Sequence, residues 1–322
     1  MNKIIKKMIR IYKWTILVQI LFICLNIYLL TFPPQIIGKI IDLLYQLQDN
    51  QQAIMQNTIY LLIITCLILI VRVIWKYYDT YNQRAMERDM KNKLFSHLTK
   101  LKIQEIQSKR NGEMMSFFVK DIGEVRNAIQ RILSFGVRIV AISIIVTFSM
   151  ITKVDLKLTL LTMIPIILTG FIVVKIRKYI DKSFRKSQEH FTELSEYVQE
   201  SSDAIRTTKA YSQEGYQLKQ FIKINRKLKG SNNAVDVSST LLSIAIQICF
   251  GVSYGIAILY GSQLVLNHQI TVGNFVAFNS YITLFLGPVS WLPSLVSRIK
   301  RGEISYKRLD QVFALEKEKV MH

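Results

Sequence analysis

Long stretches without Asp, Glu, Lys or Arg set the rhythm of this chain. Trp14–Gly38, Asn50–Val71, Leu158–Val174, Val237–Asn267 and Gln269–Ser297 are all uncharged, with His268 between the last two. A bilayer core about 30 Å thick needs about 20 apolar residues of helix. Within it each backbone polar group has to be paired inside the segment, so each stretch reads as a helix. A sixth stretch, Ile132–Ile151, is apolar and β-branched but carries Arg138. An even number of crossings makes the charge distribution consistent, so it too is read as a span. The pattern predicts six spans, at about 14–37, 58–78, 132–151, 156–174, 241–262 and 272–296.

Between the spans the pattern changes. The links at Thr152–Asp155 and Gln263–Thr271 are short, whereas 79–131 and 175–236 are long and rich in Lys, Glu, Gln and Arg. In the second long connection Ile176, Ile180, Phe184, Phe191, Leu194, Val198 and Ile205 recur in steps of three, four or seven, one face of a helix. No Gly or Pro lies between Gly170 and Gly215 to interrupt it. Leu218, Phe221, Asn225 and Leu228 mark a returning helix. The first connection repeats the plan: Met90, Leu94, Leu98 and Leu101 descend, Asn111-Gly112 offers a turn, and Val125, Ile129 and Ile132 lead back. At 1.5 Å per residue each hairpin extends about 40 Å from the bilayer. Their tips fall near Gly112–Lys120 and Arg206–Gly215. A static scaffold and a lever between a partner and the membrane are both compatible with this geometry.

Charge then sets the orientation. With the N-terminus inside, Lys3, Lys6, Lys7, Arg10 and Lys13, both long connections and the Arg298–Lys319 group lie in the cytoplasm, and only Lys39, Lys153 and Lys157 lie outside. This is the positive-inside arrangement. It predicts a multi-pass protein of the cell membrane with both termini cytoplasmic. The net charge of +20 is spread along flanks that meet anionic lipid headgroups, which argues against a nucleic-acid partner. Met1–Lys13 resembles the start of a signal peptide, but the apolar stretch after it is too long and lacks a small-residue cleavage site. It is read as an uncleaved first span. Cys24, Cys66 and Cys249 all fall inside spans and read as packing residues. The fold class expected is an all-α membrane protein, six transmembrane helices extended into two long cytoplasmic helical hairpins.

The hairpin tips carry a family resemblance. Gly112-Glu113-Met114-Met115-Ser116-Phe117-Phe118-Val119-Lys120-Asp121-Ile122-Gly123-Glu124-Val125-Arg126 resembles the first intracellular loop of ABC exporters of the multidrug and lipid-exporter type, with Lys120 where an Asn is common. Leu194-Ser195-Glu196-Tyr197-Val198-Gln199-Glu200 and Ala204-Ile205-Arg206-Thr207-Thr208-Lys209-Ala210-Tyr211-Ser212-Gln213-Glu214 are similar to the second. Ser305, Arg308 and Val312 resemble the segment joining the last span to the ATPase domain. The resemblance covers essentially the whole chain. It implies an exporter membrane domain over 1–307 and a linker over 308–322 toward a nucleotide-binding domain. It also implies short coupling helices that dock on an ATPase, with Glu113, Met114, Met115, Phe117 and Phe118 at the first tip, where docking and packing inside the hairpin are both open to Phe117 and Phe118. Ala210, Tyr211, Ser212, Gln213 and Glu214 form the second, with Tyr211 filling a groove. A second membrane subunit, identical or not, would complete one cavity. An amphipathic substrate would leave it by alternating access, with ATP and Mg bound by the ATPase.

No two of the 13 glycines stand five residues apart, so no P-loop is expected. His97, His190, His268 and His322 are scattered over both sides of the membrane. Neither a metal site nor a catalytic residue is expected on this chain. Arg72 and Arg138 lie in spans, where charge is costly and faces a cavity or a partner, or snorkels to the interface. With Gln247 and Asn279 they are the candidate translocation-cavity residues; Gln19 and Asn26 are further polar positions. Gly251 and Gly255 form a G-x-x-x-G suited to close helix packing. Pro33-Pro34, Pro165, Pro288 and Pro293 are expected to kink or end helices. An ATP-independent transporter and a membrane sensor are the alternative readings of the same architecture.

Overall fold

A computed structural model describes residues 10–45, 51–101 and 111–315, apart from the side chains at 111–113, 178, 293, 294, 296 and 297. Lys3, Lys6, Lys7, the Glu113 side chain and linker residues 316–322 lie outside the described residues. The described chain is helical: α1 Lys13–Leu29, α2 Phe32–Tyr45, α3 Gln51–Leu98, α4 Asn111–Ser116, α5 Ile122–Arg131, α6 Val137–Lys153, α7 Leu156–Asp203, α8 Ile205–Ala210, α9 Glu214–Leu266 and α10 Val272–Phe313. Two π-helical turns, Phe117–Asp121 and Ile132–Gly136, join α4 to α5 and α5 to α6. Six segments are long and apolar enough to cross a membrane, in the places the sequence predicts.

Several expectations change in detail. The first span is two helices, because the chain breaks at Leu30-Thr31 just before Pro33-Pro34. The carbonyl of Thr31 exposed by the break accepts a hydrogen bond from the hydroxyl of Tyr281 on α10 (3.0 Å), and that hydroxyl accepts one from Gln35 Nε2 (2.8 Å). Pro165 lies within α7 and Pro288 within α10 without ending either helix. Asn111-Gly112 is the start of α4 rather than a turn.

The chain divides into two compact units, residues 1–163 with 253–322, and residues 164–252. In the first, α10 runs against α5 and α2, and α1 and α2 pack on α3. Glycines permit two close approaches. A Cβ at Gly302 would stand 2.2 Å from Ala128 Cβ, where α10 meets α5; one at Gly38 would stand 2.5 Å from the Gly273 carbonyl oxygen, where α2 meets α10. Beside the second crossing, Asp42 accepts from the Gly273 N–H and the Thr271 hydroxyl, both at 2.7 Å, holding the start of α10. At Gly251 and Gly255 an added Cβ would meet nothing within 4 Å. Their G-x-x-x-G is therefore no close packing site among the described residues.

The first hairpin buries the stripe the sequence marks. Met90, Leu94, Leu101, Val125 and Ile129 are buried, and most of them join one core with Ile16, Met86, Ile122, Leu309 and Val312. Ile132, at the end of that stripe, is exposed. The unit 164–252 behaves differently. Much of the apolar stripe stays uncovered: Phe184, Phe191 and Val198 of α7 and Ile205 of α8 are exposed, while Ile176, Ile180 and Leu194 are half-buried. Polar pairs join α7 to α9 instead: Ser187 to Asn232, His190 Nδ1 to Ser231 Oγ (2.6 Å), Lys227 Nζ to Glu193 (2.7 Å), and the Tyr197 hydroxyl to the Gln217 carbonyl (2.9 Å). Positions 187, 190, 193 and 197 share one helical face, so the facing helix meets a polar seam.

Candidate functional site

The two tips present their side chains in opposite ways. At the first, the π-turn rotates Phe117 inward, where it is 2% exposed within the Met90–Leu94–Val312 core. Met114 and Phe118 pack against the same core. Asp121, 1% exposed, ends the π-turn and pairs with Arg308 of α10 at 3.3 Å; the guanidinium also sits 5.4 Å from the Phe117 ring centre. Next to this clasp the His97 ring is hydrogen-bonded to the Val312 carbonyl at 3.0 Å. Among the described side chains expected to dock at this tip, Met115 is the exposed one. Of the two roles open to Phe117 and Phe118, docking and packing inside the hairpin, the burial of Phe117 favours packing, and Phe118 is half-covered there.

At the second tip α7 ends at Asp203, one turn of helix (α8) follows, and Tyr211 and Ser212 turn the chain back into α9. Ser212 has a φ of 49°, a left-handed conformation unusual for a side-chain-bearing residue. The turn closes through Gln213 N–H to the Thr208 carbonyl (2.9 Å), and Lys209 Nζ reaches Glu214 at 3.0 Å. Thr208 is buried below it. The side chains of Ala210, Tyr211, Ser212, Gln213 and Glu214 are all exposed, Tyr211 at 72%. Among the described residues nothing buries this large aromatic at the end of a charged hairpin.

Arg138 is half-buried, with its guanidinium 5.2 Å from the Trp291 ring centre. Arg72 is exposed on α3. Asn279 Nδ2 donates to the Phe275 carbonyl within its own helix at 3.0 Å. Gln247 belongs to the other compact unit and is exposed. Asn26 makes a structural bond, Nδ2 to the Ile68 carbonyl at 3.1 Å.

Sequence reasoning missed the densest polar cluster. Asp79 is 2% exposed, yet its carboxylate accepts from Gln19 (3.0 Å), Gln130 (3.0 Å), Lys76 (3.1 Å) and the Ser134 hydroxyl. Asn82 adds a bond from Nδ2 to Gln19 Oε1 at 2.8 Å. One carboxylate thus joins α1, α3, α5 and the second π-turn, satisfying the rule that buried charge is paired and hydrogen-bonded. Asp79 is the first acidic residue after the uncharged stretch of α3, and the four-residue step from Gln130 to Ser134 was the signal available.

Among the described residues no group of three or more His, Cys, Asp or Glu could hold a metal ion.

The family model described as the ABC transporter transmembrane region matches residues 16–289. Curated relatives include a multidrug resistance-like ATP-binding protein of Buchnera aphidicola, 25% identical over 290 residues, covering 90% of this chain and 50% of the relative. A probable multidrug resistance ABC transporter ATP-binding/permease protein of Bacillus subtilis is 23% identical, covering 88% of this chain and 49% of the relative. An ATP-dependent lipid A-core flippase of Nitrosococcus oceani is 22% identical, covering 68% and 36%. The chain spans about half the length of the first two.

Proposed function

The chain belongs to the ABC transporter transmembrane region family, and from that premise we propose that it is the permease part of an ATP-driven exporter moving an amphipathic substrate out of the cytoplasm. The observation that carries this reading is the exposed aromatic tip at Tyr211, on a long hairpin continuous with two membrane-crossing helices. Such a tip has an obvious use if an ATPase domain receives it. Met115 and the Ala210–Glu214 turn are the proposed docking residues, with Glu113 and Met114 flanking the first tip. ATP and Mg are bound by the ATPase, which is either a separate subunit or a further domain. The two family relatives named for multidrug resistance and the lipid A-core flippase support an amphipathic cargo.

The uncovered apolar stripe Phe184–Phe191–Val198–Ile205 supports a second membrane subunit, identical or not, as its cover. Basic residues on the hairpin side support cytoplasmic termini. Arg72, Arg138, Gln247 and Asn279 are the proposed cavity residues, because intramembrane polar groups serve substrate paths by default. ATP binding would draw the hairpins together, shifting the population toward an outward-open state, and hydrolysis would reset it. The bonds made and broken are those of ATP, on the partner.

The test is ATP-dependent accumulation of an amphipathic fluorescent cation or a fluorescent phospholipid in inside-out vesicles containing the chain and its ATPase. Uptake above vesicles lacking the chain is expected for one of the two probes. Equal uptake with and without the chain, for both, would overturn the reading.

A further inference from the structure

Two buried polar atoms beside the Asp79 cluster lack a protein partner among the described residues. Asn82 is 3% exposed, and its Oδ1 accepts nothing although its Nδ2 is bonded to Gln19. Arg126 pairs through one terminal nitrogen with Glu87 and through the other with Asn127 Oδ1 (3.0 Å), but its Nε donates to nothing. Both residues line the same small cavity, with Gln19, Asp79, Gln130 and Met86. The cavity has room for about one water-sized group.

The chemistry of the walls selects the occupant. The two atoms need opposite things, a donor for Asn82 Oδ1 and an acceptor for Arg126 Nε. A cation would face the Arg126 guanidinium, and an anion would face the Asp79 carboxylate. A neutral group that donates and accepts at once satisfies both, and at this size that group is water. We propose that Asn82 Oδ1 and Arg126 Nε hold a single ordered water molecule. It would join the Asp79 cluster to the Glu87–Arg126 pair as one continuous polar strut.

The strut has a mechanical meaning. Asp79 and Asn82 stand just past the apolar part of α3, while Glu87 and Lys91 (2.8 Å apart) lie farther along the hairpin. Gln19 of α1 and Gln130 of α5 tie into the first end, Arg126 of α5 into the second. With the water in place, α1, α3 and α5 are cross-linked over more than two helical turns, so that a load on the first hairpin reaches the spans without local bending.

Two measurements on the full chain in lipid nanodiscs test this. A structure at water-resolving resolution is expected to show density within hydrogen-bond distance of both Asn82 and Arg126. Its absence, or an Asn82 amide turned so that Oδ1 meets a protein donor, overturns the proposal. Independently, Asn82→Leu removes the acceptor, and Arg126→Lys keeps the charge facing Glu87 while removing Nε. If one water joins the two residues, the second substitution lowers the melting midpoint less in the presence of the first than alone. Additive shifts mean that the two sites are independent and overturn it as well. The loss of the Asn82–Gln19 bond occurs in both arms of this comparison and cancels.

Discussion

Phe117 and Tyr211 stand at the tips of similar hairpins, and their surroundings give them different work. Phe117 is enclosed by Met90, Leu94 and Val312 and capped by Arg308. Phe117→Ala should therefore lower stability by about 3–5 kcal/mol, seen as a drop in the thermal midpoint of the detergent-solubilised chain. Tyr211→Ala removes a side chain that its own chain does not cover, so stability should stay within about 0.5 kcal/mol while docking weakens. Arg308→Ala would strand the buried Asp121 carboxylate. Breaking a buried pair costs about 3–5 kcal/mol, and the expectation here is the lower end, because Arg308 is 40% exposed. Arg308→Lys should recover part of it. At Tyr12 the sign of a pH effect follows from the site. Partial burial, then the hydrogen bond to Asp89 (2.7 Å), pushes its hydroxyl up to about 12. The folded chain thus holds this proton more tightly than the unfolded one. Its contribution to stability is complete below about pH 10, the ordinary tyrosine value, and is lost as pH rises through 12. Ultraviolet titration should show one fewer late-ionising tyrosine in Tyr12→Phe.

At the level of elements, the first hairpin was legible in the sequence and the second only in outline. Met90–Leu94–Leu101 and Val125–Ile129 are apolar at helical spacing and pack on each other, as pattern alone implies. Along α7 the same kind of stripe is real but its Phe184, Phe191 and Val198 stay exposed, and the contact with α9 runs through Ser187, His190, Glu193 and Tyr197. Polar residues on a charged helix read as a solvated face, so a polar seam leaves no mark in hydropathy. The π-turns were equally hidden, since each is a local change of hydrogen-bond register without a diagnostic residue. The glycines show the limit from another side. The G-x-x-x-G motif at Gly251 and Gly255 drew attention, yet Gly302, which has no motif, bears the close contact. Gly302→Ala would press a Cβ against Ala128 and should cost about 1–3 kcal/mol by forcing α10 off α5. Gly123→Ala meets nothing within 4 Å and should stabilise α5 by up to about 1 kcal/mol through helix propensity. Chemical denaturation of the two variants side by side separates packing from propensity.

Across the whole molecule, five of the six candidate spans stand on uncharged stretches, because a bilayer demands length and apolarity and little else, and the sixth, Ile132–Ile151 with Arg138, rests on the charge distribution. The ties that organise those spans were not legible. Asp79 carries no mark in the hydropathy pattern, and Asp121 and Arg308 stand in two separate motif stretches rather than as one ion pair. The separation of 187 residues between those two defeats any local reading. At the tips the motif residues divide into those covered in the hairpin, Phe117 and in part Met114 and Phe118, and those exposed, Met115 and Ala210–Glu214. The proposal is that an ATPase docks on the exposed ones. The most direct test is to purify the tagged chain from its source membranes in mild detergent and measure vanadate-sensitive ATP hydrolysis, with and without the paired change Met115→Ala and Tyr211→Ala. Hydrolysis is expected in the unchanged sample, with a drop of about tenfold or more in the paired variant and the thermal midpoint unaltered. Hydrolysis absent from an intact sample, or undiminished by the paired change, would contradict it.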